Sequence, residues 1–241
     1  MKKLLSHLLL SFTLATPAFA QTIQWEGREF ELNHVTAAVV QLDGEEVLKV
    51  ERDLKTLPFD VKRLGDTVDE ATYVKLKDFE FSDAIFEVKV LARVQRPTPF
   101  VASQGFIGVH FRTSADNSAF ESIYLRPNVG RSDVQAYRNK VVQYFAYPGY
   151  KFDQLRKEAP GLYETYADIG LDEWITMRIH VAGERAELYL NNAKYPSFIV
   201  NKMKGTSASG GIGLYVDIGT EGYFKDFKII SSIHPKLKTG V

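Results

Sequence analysis

No cysteine occurs anywhere in the 241 residues. That absence excludes disulfide staples, thiol nucleophiles and thiolate metal sites, and it removes the residue on which a bacterial lipid anchor depends. An excess of charge is missing as well, since 30 basic residues stand against 30 acidic ones. With no global field of either sign, the chain has no electrostatic reason to seek nucleic acid or an anionic membrane. Long apolar runs are confined to the first twenty residues, and nothing later is fit to span a bilayer. A repeat of fixed period is absent, which argues against a propeller. The sequence also lacks an HExxH pair, a GxSxG elbow and a phosphate-binding loop.

The N-terminal run, MKKLLSHLLLSFTLATPAFA, has Lys2 and Lys3, an apolar stretch from Leu4 to about Ala15, and a small-x-small ending at Ala18-Phe-Ala20. It reads as a secretory signal peptide, residues 1–20, cleaved after Ala20. The expectation is therefore a soluble protein, periplasmic or secreted. Residues 21–241 are expected to form a single domain, with 45% hydrophobic and 12% aromatic residues supplying its core without metal or disulfide help.

Period-two alternation dominates the remainder of the chain, with one helical signal near Asp153 to Ala159. Asp43-Gly44, between two strand-like halves from Ala37 to Arg52, is a strong hairpin signal. A second pair runs from Trp174 to Asn192 and turns at Ala182-Gly183-Glu184. About a dozen short strands with Gly, Pro and Asp punctuation predict an all-β fold: two packed antiparallel sheets, a jelly-roll sandwich, with a closed up-and-down barrel as the alternative. The tail HPKLKTGV is basic and has no evident role.

Alternation also sorts side chains by face. Ile107, Val109 and Phe111 oppose His110 and Arg112; Ile123 and Leu125 oppose Ser122, Tyr124 and Arg126; Met177 and Ile179 oppose Arg178 and His180; Leu214 and Val216 oppose Tyr215 and Asp217. The apolar sets are core candidates. The polar sets can stack on sugar rings and bond their hydroxyls, or they can be the ordinary solvated faces of exposed strands. Alternation alone favours the second reading.

One connection, RPNVGRSDVQAYRN, departs from hairpin economy. It packs Arg126, Arg131, Asp133, Gln135, Arg138 and Asn139 into one stretch, which is costly to order unless those groups find partners. Either arginine–carboxylate forks pin it to the rim of the sandwich, for example on Glu158, Glu164 or Asp168, or it walls a ligand cleft.

FRTSADNSAFESIYLRP, GRSDVQAYRN, LRKEAPGLYETYADIGLDEW, RIHVAGERAELYLNN and GGIGLYVDIGTEGYF together resemble an exported bacterial group of concanavalin A-like domains, the 3-keto-disaccharide hydrolase or 3-keto-glucoside lyase/hydratase-like type. The resemblance covers roughly Phe106 to Ile229. It implies a two-sheet jelly roll with a concave carbohydrate site, drawn here from Arg112, Tyr124, Arg126, Arg131, Asp133, Arg138, His180 and Tyr215. The related family 16 glycosidases carry alternating carboxylates of the form E-x-D-x-x-E, because nucleophile and acid must flank the bond about 5 Å apart. No such run exists here, so double-carboxylate hydrolysis is disfavoured. Lyase or hydrolase chemistry on an oxidised glycoside needs less: one base, from His110, Glu121 or Asp217, and an arginine for the developing negative charge.

A divalent cation would have to come from Asp116-Asn117 or from Asp217 with Glu221, and neither spacing fits a standard calcium loop. Three classes stay open at this point: a carbohydrate-processing enzyme, a non-catalytic glycan-binding module, and a structural envelope protein whose polar loop is a rim clamp. Oligomeric state is not legible.

Overall fold

In the computed structural model, residues 21–233 are described. The signal-peptide expectation for residues 1–20 and the basic tail from His234 lie outside the described residues.

The chain forms two wholly antiparallel sheets. The first has eight strands in the order β1 (Thr22–Trp25), β2 (Arg28–Asn33), β5 (Tyr73–Leu76), β14 (Gly211–Val216), β7 (Ile107–Thr113), β8 (Phe120–Leu125), β9 (Val142–Tyr147) and β10 (Glu164–Thr165). The second has seven: β13 (Phe198–Val200), β12 (Arg185–Leu190), β11 (Ile175–Ala182), β6 (Asp83–Val94), β15 (Thr220–Ile233), β4 (Glu45–Arg52) and β3 (Val35–Leu42). This is the expected jelly-roll sandwich, and the barrel alternative falls because each sheet keeps two free edges.

Local chemistry sets the turns. Leu42 pairs with Glu45 across Asp43-Gly44, and both turn residues are left-handed, at φ 52° and 82°, as a two-residue hairpin of this twist demands. Ala182 pairs with Arg185 across Gly183-Glu184, where Gly183 supplies the left-handed residue at φ 54°. The predicted helical segment is present as α3 (Phe152–Glu158), joined by the short helices α1 (Leu64–Thr67) and α2 (Gln135–Arg138).

The core lies between the sheets. Ile107, Val109, Phe111, Ile123, Leu125, Leu214 and Val216 of the first sheet meet Phe86, Val88, Val90, Met177, Ile179 and Phe224 of the second, all of them buried. Phe86 and Phe111, one from each sheet, have ring centroids 6.1 Å apart.

The other face of the first sheet is also covered. Tyr73, His110, Phe120, Ser122, Tyr124, Gln143, Phe145 and Tyr215 share it by register and are all buried. Two connections supply the lid. The stretch between β4 and β5 carries α1, and the stretch after β9 carries α3. They are stitched together where Lys151 binds Glu70 and donates to the Gly65 carbonyl at 3.2 Å. Leu155 of α3 is buried in the same apolar cluster.

Candidate functional site

Where the two connections fail to close completely, a cleft of about 240 Å³ opens over the covered face. Its floor is Tyr124, Arg126, Asp69 and Asp217. Leu64 and Val68 wall one side, Phe152 and Arg156 of α3 another, Phe100, Gln104 and Phe106 a third, and Tyr137 and Lys140 the rim.

Asp217 follows Tyr215 by two residues, so alternation puts both on the covered face. Its carboxylate is fully engaged. One oxygen accepts from Arg52 at 2.7 Å and from the Ile218 amide at 2.7 Å; the other accepts from the Asp69 amide at 2.9 Å and the Tyr215 hydroxyl at 3.1 Å. Arg52 in turn donates to the carbonyls of Leu57, Pro58 and Thr67, tying down the chain that leads to α1. A buried ion pair of this kind tolerates no half-removal, because one charge would be left unpaired in the interior.

Asp69 differs from Asp217. Its backbone is left-handed (φ 52°), a conformation that aspartate tolerates better than most residues, and Asp217 holds it there through the amide. Its side chain accepts the Phe152 amide at 3.0 Å and lies beside the Tyr124 hydroxyl and the Arg126 charge. Burial pushes the carboxyl up to about 6; Arg126 and the Phe152 amide pull against that rise, and the neighbouring Asp217 charge adds to it.

Arg126 is 5% exposed and donates to the Lys140 carbonyl at 2.8 Å and to the Tyr124 hydroxyl. Burial lifts the Tyr124 phenol well above its ordinary range, so it stays protonated and able to donate. Gly108 lies opposite Tyr124 in the ladder, and a Cβ there would fall 2.3 Å from the Ile123 carbonyl and 2.5 Å from the Tyr124 Cα. Only glycine lets this part of the floor sit where it does.

Of the sequence candidates, the cleft gathers Tyr124, Arg126 and Asp217, with Tyr215 directly behind. The others are elsewhere. His110 shares the covered face but is stacked between Phe120 and Tyr215, at 4.0 and 4.4 Å between centroids, and burial drives its pKa well below 6.5. Neither ring nitrogen has a partner among the described residues. It is a packing residue with no path to a substrate, which corrects its nomination as base. Glu121 points the opposite way, between the sheets, where it accepts from the Tyr144 hydroxyl and the Gly205 amide. Arg112 is engaged by the Ser82 carbonyl and Asp83. His180 is on the second sheet, against Tyr189. Asp133 is exposed and lines no part of the cleft.

The polar connection is pinned to the rim, and part of it also lines the cleft. Arg131 forks onto Asp168 at 2.8 Å and Glu173 at 3.0 Å, and Arg138 donates to the Tyr166 hydroxyl at 2.7 Å; these are rim clamps, not ligand groups. Arg126, Tyr137 and Lys140, from the same stretch and its end, line the cleft. Calcium is not supported at either nominated pair: Asp116 is taken up by Ser114 and Ser118, Asp217 by Arg52, and Glu221 by Tyr223 and Lys49. Among the described residues no cluster of three acidic or histidine side chains is placed to hold a metal ion.

Asp69, Gln104, Tyr137, Lys140 and Phe152 escaped the sequence reading. The available signal was length: the connection from Asp53 to Thr72 is long for a sandwich, and long ordered connections often carry function.

The sequence matches the family described as the 3-keto-alpha-glucoside-1,2-lyase-like domain over residues 23–230. No curated protein matches it significantly. Among solved structures, the chain is similar to a carbohydrate-binding module from Bacillus subtilis, with 10% identity, 81% of this chain and 94% of that chain covered, and a TM-score of 0.49. It is also similar to a protein of unknown function with a galectin-like fold from Bacillus subtilis, with 9% identity, 84% and 89% coverage, and a TM-score of 0.46.

Proposed function

Because the chain belongs to the 3-keto-alpha-glucoside-1,2-lyase-like family, we propose that its cleft is a sugar site in which Asp69 acts as the base of a lyase-type elimination on a 3-keto-glycoside. The observation that carries this reading is the inequality of the two floor carboxylates. Asp217 accepts four hydrogen bonds, whereas Asp69 accepts two, from the Phe152 amide and the Tyr124 hydroxyl, beside Arg126.

The chemistry follows from the ketone. A carbonyl at C3 acidifies the C2 proton, so a carboxylate with a pKa near 6 is basic enough to take it. The C–H electron pair moves toward the C3 oxygen, where the Arg126 guanidinium and the protonated Tyr124 hydroxyl steady the developing charge. Collapse of that enolate forms the C1=C2 double bond and breaks the C1–O bond; the departing oxygen takes a proton from water. Phe100, Phe106, Tyr137 and Phe152 supply apolar and aromatic surface for a sugar ring. At about 240 Å³ the cleft lies just below the usual range for ligand pockets, roughly 300–1,000 Å³, which favours one ring over a long chain.

The deciding experiment follows aglycone release from a 3-keto-α-glucoside. Asp69→Asn, with its fold checked by circular dichroism, is expected to lower kcat by about 10²–10⁴; full retention of turnover would remove Asp69 from the mechanism. Wild-type binding without release would favour the second reading, a non-catalytic glycan-binding module, which the aromatic lining of the cleft also suits. The proposal includes export, resting on the twenty N-terminal residues, and N-terminal sequencing of the mature protein should begin at Gln21.

A further inference from the structure

The polar groups that line the cleft divide into those already engaged and those that are not. Asp217 is paired with Arg52, and the Arg156 guanidinium with Glu164 at 2.9 Å. Asp69 lies against Arg126. At the rim, the Lys140 ammonium, the Tyr137 hydroxyl and the Gln104 amide have no hydrogen-bond or ion-pair partner among the described residues. Lys140 is half-buried, and its own carbonyl is fixed by Arg126, so its side chain starts from a held point on the wall.

The charge count points one way. With the two outer pairs neutralised, the charged groups left in the cleft are Asp69 and two cations, Arg126 beside it and Lys140 at the rim. One positive charge is in excess when Asp69 is ionised, and two when it is protonated. Every one of the unengaged rim groups can donate a hydrogen bond, and the ammonium can do nothing else. Tyr137 and Gln104 can donate or accept, so it is the ammonium and the positive excess that call for a ligand with acceptors and negative charge. Resting on the sugar-site reading above, we infer that the cleft selects an acidic glycoside, one whose ring carries a carboxylate, and that Lys140 is the residue that reads it.

A charge-assisted hydrogen bond in a partly desolvated site is stronger than the neutral contact that a hydroxymethyl group would make there. The gain corresponds to about a tenfold preference for the acidic sugar over its neutral counterpart. Because Lys140 is not sealed from solvent, that preference should shrink as salt rises.

The test is isothermal titration of the full chain carrying Asp69→Asn, which slows turnover, with the 3-keto forms of methyl α-glucuronide and methyl α-glucoside. The expected result is uronide binding about tenfold tighter, a gap that closes with added Lys140→Ala, closes partly at high salt, and survives Lys140→Arg. Equal affinities, or a gap that persists in Lys140→Ala, would overturn the inference and leave the sugar site standing. If neither glycoside binds, while the proteins remain folded by circular dichroism, the sugar-site reading itself fails and takes this inference with it.

Discussion

The outward face of β11 and the covered face of β7 start from similar material and end in different places. On β11 and its neighbours, Arg178, His180, Glu187 and Tyr189 alternate cleanly with buried Ile179, Val181, Ala186 and Leu188, and they stay partly exposed. On β7 all seven residues are buried, histidine and arginine included. Each strand carries a histidine two residues from an arginine, but a bulge at Arg112 (φ 51°) turns that side chain to Ser82 and Asp83 at the start of β6, so the comparison of faces rests on His110 against His180. The cause is what the connections do. Two long segments lie over the first sheet and turn a would-be solvated face into a second interior, with one gap left open. A polar side chain caught under such a cover is paired, shifted in its pKa or left unsatisfied, and all three outcomes are present: Asp217, Asp69 and His110.

That contrast can be tested directly. Gly108→Ala should have the largest effect on stability, since its methyl would meet backbone at under 3 Å on the covered face. A loss of about 3 kcal/mol is expected from chemical denaturation, together with loss of sugar binding as Tyr124 shifts. A loss below about 1 kcal/mol would mean that the cover is softer than its packing implies.

Asp69→Asn comes next, and its effect on stability is opposite to its effect on turnover. The folded carboxyl titrates at about 6 against 3.8 for an ordinary aspartate, so its stabilising contribution is whole below pH 3.8 and is lost as pH rises through about 6. Above pH 7 the variant should therefore be more stable than wild type by about 1–3 kcal/mol, with the advantage gone below pH 4. Thermal melts across that range check it. For the elimination proposed above, the same titration predicts that kcat/KM of the wild type rises with pH through about 6, because a base there must be ionised to accept a proton.

The smallest effects come from the matched pair of histidines. His110→Phe replaces a buried ring with two unpartnered nitrogens by an apolar ring of similar shape, and a gain of about 1 kcal/mol at neutral pH is expected. Since His110 titrates well below 6.5 in the fold, wild-type stability conferred by its neutral form is present above pH 6.5 and erodes as pH falls, so the gain should grow in acid. His180→Phe, on the open face, should stay within about 0.5 kcal/mol. Equal responses from the two would erase the distinction between the faces.

Much of the scaffold was readable from local chemistry. Asp43-Gly44 fixed one hairpin and Gly183 another, and alternation correctly assigned Tyr124, Arg126 and Asp217 to the face where the cleft opens. Glu121 counts with His110 as a candidate base in the sequence, although the same alternation sets it on the side of Ile123, between the sheets. What alternation could not reveal was the cover. Asp69 belongs to no periodic run; its chemistry arises from Asp217 gripping its amide and from α3 excluding water above it, both long-range effects. His110 misled because a histidine beside an arginine has the same sequence signature whether it is solvated or entombed.

The cleft is fastened in two independent ways. Its floor is tied from within by Arg52 and Asp217, sealed from solvent. Its rim, the stretch that carries Tyr137 and Lys140, is tied from outside by Arg131 on Asp168 and Glu173, pairs that stand largely in water. Exposed pairs are individually weak and tolerate replacement, whereas the buried one does not. A lineage can therefore remodel the mouth of the cleft one surface residue at a time while inheriting its floor intact.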